Sequence, residues 1–118
     1  MERINLLEKH ISQGLTMQNK ITSVAFSFIK PEFVNDVIQI YQNAVDNHTA
    51  LKGCVEIKLF RKISISNEFM IVSKWDSIEA RKKYLKSDFH KKTIEKLKKY
   101  RERPPVMDDF EEITERLF

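Results

Sequence analysis

Glycine is nearly missing from this chain: its 118 residues hold only Gly14 and Gly53. A loop that cradles phosphate groups needs several glycines close together, so nucleotide cofactors held by such loops are excluded. A single cysteine, Cys54, leaves no internal disulfide and no cysteine cluster for zinc. A reducing compartment is the simplest reading. The three histidines, His10, His48 and His90, have no acidic residue three or four positions after them and show no metal-ligand spacing. No metal and no cofactor are expected. No apolar run approaches the roughly 20 residues that span a bilayer. The opening "MERINLLEKHISQG" is polar and carries acidic residues, so no secretory leader is expected and a cytoplasmic location is.

What remains is a globular composition, 42% hydrophobic and 32% charged. A chain of this length folds as one domain and buries about two thirds of its unfolded surface. The net charge of +4 is uneven. Residues 81–103 hold eleven of the 21 Lys and Arg, and the stretch after Pro105 is acidic, with Asp108, Asp109, Glu111, Glu112 and Glu115. A basic run can meet nucleic acid. Its plainer reading is a solvated helix face, as charge runs on helices usually are, so nucleic acid is not the expected partner.

Residues 2–13 place Ile4, Leu7 and Ile11 at helical spacing, and Gly14 stops that helix. Residues 1–16 are expected as an accessory helix ahead of a domain over 20–118. "ITSVAFSFIK" at 21–30 alternates as a strand, with Val24, Phe26 and Phe28 opposite Ile21, Ser23, Ala25, Ser27 and Ile29. Pro31 opens a helix whose apolar positions run to about His48. Residues 54–63 set Val55, Ile57, Leu59 and Ile63 against Glu56, Lys58 and Lys62 as a second strand. "SISN" turns the chain into a third strand over 68–75, which ends on the only tryptophan, Trp75. Ser77 is a helix N-cap, and a break near Ser87–Asp88 recaps a segment predicted to run over 89–103 until Pro104 and Pro105 end it. "VMDDFEEI" then reads as an edge-like fourth strand.

The order β-α-β-β-α-β predicts an α+β, ferredoxin-like fold with a four-stranded antiparallel sheet. Met70 and Val72 lie on one face of the third strand and Phe69, Ile71 and Trp75 on the other. One helical layer covers one face only. The other face predicts a second copy packed sheet to sheet, a homodimer.

Three stretches resemble a known family. They are "FIKPEF" at 28–33, "LKGCVEIKLFRK" at 51–62 and "NEFMIVSKWDSIEARKKYLKSDFH" at 67–90. The family is the antibiotic biosynthesis monooxygenase domain, of the dimeric α/β-barrel superfamily. The resemblance spans roughly residues 20–113. It implies a homodimer whose two sheets close a barrel, with a pocket in each subunit between sheet and helices. It implies a cofactor-independent monooxygenase, with dioxygen and a small aromatic or quinol-like molecule as its partners. The strand-ending tryptophan and the serine at the helix break are present as Trp75 and Ser87. Histidines common among quinol-oxygenase members are replaced by Tyr84 and Phe89. The constellation of haem-degrading members, at positions matching Ala25, Tyr84 and about Ile94, is absent.

His90 is the candidate base, because an imidazole titrates near neutrality; its plain alternative is a surface histidine beside Lys91 and Lys92. Tyr84 is the candidate donor to a substrate oxygen, or else a ring packed on the sheet. Trp75 is a candidate stacking wall, or else a plug in the core. Ser23, Ala25 and Ser27 share one strand face and leave room for a substrate cavity. Two other classes stay open: a dimeric barrel that binds a ligand without catalysis, and an RNA-recognition module of the same strand order. The latter wants glycine around its aromatic strands, and none is there.

Overall fold

The structure, a computed structural model, describes residues 20–47 and 51–113. The expected helix over 2–13, the accessory segment 1–16, His10 and His48 lie outside them. The described chain forms β1 (Ile21–Ile29), a 3-10 turn (Pro31–Phe33), α1 (Val34–Asp46), β2 (Cys54–Arg61), β3 (Glu68–Trp75), α2 (Ile78–Leu85), α3 (Asp88–Lys98) and β4 (Arg101–Glu111). The four strands make one antiparallel sheet in the order β2-β3-β1-β4. This is the ferredoxin-like α+β arrangement, its second helical crossover split into α2 and α3. No helix among the described residues is long and apolar enough to cross a membrane.

The alternation in β1 sorts its side chains cleanly. Ile21, Ser23, Ser27 and Ile29 are buried beneath the helices, while Phe26 on the opposite face is exposed. Ile29 joins Val37, Tyr41, Phe69 and Leu97 in the core at one end of the sheet. Pro31 fixes its own φ for the tight first turn, so the chain enters α1 directly after β1.

Two strands depart from simple alternation. In β2 the register shifts between Cys54 and Glu56, so Val55 is an extra, exposed residue. The bulge moves Ile57 and Leu59 onto the face shared with Cys54 rather than with Val55. Ile63 lies past the end of the strand at Arg61 and is fully exposed. β4 begins at Arg101 rather than Val106, and α3 ends at Lys98 rather than at residue 103. Pro104 and Pro105 therefore sit inside a strand. That is tolerated because β4 is an edge and its register with β1 shifts twice between Phe26 and Ile29.

Gly53 begins the β2 hairpin with φ +86°. A Cβ there would collide with the Ala80 Cβ, so both backbone and space demand glycine. Its carbonyl accepts from the Asp76 N–H at 2.9 Å, which ties the start of β2 to the end of β3 beside Trp75.

Candidate active site

The helix-facing side of the sheet carries small residues where its middle should be filled. Ser23 pairs in register with Ser73, and Ala25 and Ser27 follow along β1. Burying a large aliphatic side chain at such a position stabilises a fold by about 1.5–3 kcal/mol. Stability alone would not leave several small residues side by side. Above them lies a cavity of about 120 Å³ between the sheet and the three helices. That is the order of the roughly 150 Å³ engineered cavity that admits benzene.

Trp75 closes one wall at 1% exposure, and its Nε1–H donates to Ser73 Oγ at 2.9 Å. The Tyr84 ring lies 5.0 Å from Trp75, and the His90 ring 4.9 Å from Tyr84. Ser87 sets this relation. Its Oγ donates to the Tyr84 carbonyl at 2.6 Å and accepts from the His90 N–H at 3.1 Å. One serine thus ends α2 and caps α3, and holds the two ring-bearing residues at the joint.

Arg81 is 4% exposed. Its guanidinium lies 5.6 Å from the centroid of Trp75 and 5.8 Å from that of Tyr84. Nε donates to Asp109 Oδ1 at 3.4 Å, and Nη2 contacts Met107 Sδ at 3.0 Å. The same Asp109 oxygen accepts from Ser23 Oγ at 2.5 Å. Across the cavity Tyr41 donates to Ser27 Oγ, also at 2.5 Å. Arg101, at the start of β4, lines the cavity with a buried Nε that has no hydrogen-bond partner among the described residues.

Burial disfavours the charged form of three ring-bearing residues of the cavity. It pushes the Tyr84 and Tyr41 hydroxyls above the usual phenol range. It holds His90 below the usual imidazole range, and the positive charges of Arg81 and Arg101 add to that effect. His90 is therefore a neutral imidazole at pH 7, able to accept a proton.

His90, Tyr84, Trp75, Ser23, Ala25 and Ser27 all line this one cavity. Sequence reasoning passed over Ser73, Tyr41, Arg81 and Arg101, which line it too. A signal for Arg81 was present. It falls between Ile78 and Leu85 on the sheet-facing side of α2, three residues from the first and four from the second. Its place within a basic run hid it.

Residues 20–96 match the family described as antibiotic biosynthesis monooxygenase. No curated protein matches the chain. Among solved structures, one described as an antibiotic biosynthesis monooxygenase superposes with a TM-score of 0.71 at 17% identity, over 76% of this chain and 95% of that one. A conserved protein from Methanosarcina mazei Go1 gives 0.74 at 15% identity, over 79% and 92%. A conserved protein of unknown function from Bacteroides thetaiotaomicron gives 0.72 at 16% identity, over 80% and 98%. At these identities the likeness is one of fold.

Proposed function

The chain belongs to the antibiotic biosynthesis monooxygenase family, and from that premise we propose that it is a cofactor-independent monooxygenase of small phenols or quinols. The observation that carries this reading is a neutral, half-buried His90 on the wall of a cavity with the volume of about one ring, beside Tyr84 and Trp75.

The substrate ring lies against Trp75. His90 takes the proton of its hydroxyl, a task for which a neutral imidazole is suited. The phenolate passes one electron to dioxygen, and the resulting radical pair joins through a new bond from ring carbon to oxygen. The proton of that carbon passes to the outer oxygen as the O–O bond breaks. The ring gains a carbonyl, and the outer oxygen leaves as hydroxide, which takes the proton from His90. One phenol and one dioxygen give one quinone and one water, so no outside reductant is consumed. Tyr84 donates to the oxygen that carries negative charge along the way. The apolar walls keep bulk water from the intermediates.

Oxygen uptake with phenols and hydroquinones tests this. His90→Gln should lower kcat by about 100-fold or more, and Tyr84→Phe by roughly tenfold. Equal rates in wild type and His90→Gln would remove the histidine from the chemistry. Trp75→Ala should weaken ligand binding more than self-association, by ligand titration and sedimentation.

The homodimer belongs to the same proposal. Phe60, Met70, Phe26 and Val106 form one apolar row across all four strands on the helix-free face. Phe26, Phe60 and Val106 in that row are exposed. A second copy, sheet against sheet, covers it.

A further inference from the structure

Every charged side chain on the cavity wall is positive. Arg81 and Arg101 line it, and no aspartate or glutamate among the described residues does. Asp109 meets Arg81 through a single 3.4 Å contact. Two guanidiniums against one carboxylate leave one positive charge without an opposite. Arg101 is half-buried with its Nε sealed from solvent, and sealing part of a charged group without a partner is costly unless a ligand matches it.

The donors tell the same story. A guanidinium offers five N–H groups. Among the described residues, Arg81 meets protein acceptors with Nε and Nη2 alone, at Asp109 and Met107. Arg101 meets none through its side chain, and its Nε is buried. A planar fork of N–H groups at an apolar cavity matches a carboxylate, which it can hold through two parallel hydrogen bonds. The surface that the wall presents is mostly apolar, and the cavity has the volume of about one ring.

We propose that this cavity takes a small aromatic carboxylate, a single ring bearing a carboxylate held by Arg101 and Arg81. The inference rests on the phenol-oxidising reading above and names the substrate class for it: a hydroxylated aromatic acid. The charges then balance at the step that matters. Once His90 has taken the hydroxyl proton, the positive groups are Arg81, Arg101 and His90. The negative groups are Asp109, the substrate carboxylate and the phenolate. With Asp109 counted beside Arg81, the site then holds no net charge at the moment dioxygen reacts.

Trp75 is the chain's only tryptophan, so its fluorescence reports on this cavity alone. The test titrates the full chain at pH 7 with 4-hydroxybenzoate, its methyl ester and its amide. The acid should bind at least about tenfold more tightly than either neutral analogue, the discrimination expected of a hydrogen bond to a charged group. Arg101→Gln should erase that preference, and Arg81→Gln should do the same. The wild-type comparison stands even if one variant fails to fold. Equal or tighter binding of ester and amide overturns the carboxylate assignment and leaves the oxygenase reading intact. No response of Trp75 to any of the three overturns both.

Discussion

His90 shows how burial turns an ordinary residue toward chemistry. Its imidazole is held below the usual range by burial first and then by Arg81 and Arg101. The folded chain thus binds that proton less tightly than the unfolded chain, whose histidine titrates near 6.5. Stability from this residue is complete above pH 6.5. It falls away as pH drops from there toward the folded value, because acid favours the state that binds the proton. Melting temperature should therefore decline between pH 7 and 5.5, and His90→Gln should flatten that decline. An identical decline in both proteins would place the titration elsewhere. Ser87 gives the companion prediction. Ser87→Ala removes an N-cap and should cost about 1 kcal/mol of stability in chemical denaturation. It should also loosen the Tyr84–His90 pairing, so that oxygen uptake falls further than the small loss of stability explains.

The β2 hairpin and β4 explain what the sequence let a reader see. Strands β1 and β3 were legible because each alternates over a full face, and α2 because Ser77 announces it; the Ser77 Oγ accepts from the Ala80 N–H at 3.2 Å. The cavity floor was legible in part, since Ser23, Ala25 and Ser27 recur at every second position of an otherwise apolar strand. Ser73 was not, because its meaning comes from pairing with Ser23 across strands, which no local pattern records. β4 was misjudged at its start, because two prolines forbid a central strand but not an irregular edge. Arg101 was lost with it, placed on a solvated helix when it stands at the first position of a strand. Gly53 is where the hairpin can be probed. Gly53→Ala meets both an adverse φ and the Ala80 methyl, so it should cost at least about 1–2 kcal/mol. A fall in melting temperature of roughly 4 °C or more should follow. A neutral effect would mean that β2 and α2 move apart at little cost.

For the molecule as a whole, the two faces of the sheet divide the work. One face holds the cavity under the helices. The other presents the Phe60–Met70–Phe26–Val106 row, flanked by charge: Glu56 contacts Lys58 at 2.8 Å and Lys74 at 3.8 Å. Arg103 covers Phe28 at 3.7 Å from its ring centroid, which leaves Phe26 the exposed aromatic of β1. Phe26→Asp should convert the proposed dimer to monomer in sedimentation while helix content stays constant, since that side chain supports no core contact beneath the helices. A wild type that sediments as a monomer at tens of micromolar would remove the dimer from the account. Whether the covered face performs oxygenation is answered most directly by isotope. Purified protein stripped with a chelator is given a hydroxylated aromatic substrate under ¹⁸O₂, and the product is analysed at once by mass spectrometry. The account predicts one dioxygen consumed per substrate and one ¹⁸O atom in the quinone. Label entering only from ¹⁸O-water, or turnover no faster than the substrate's own autoxidation, would contradict it.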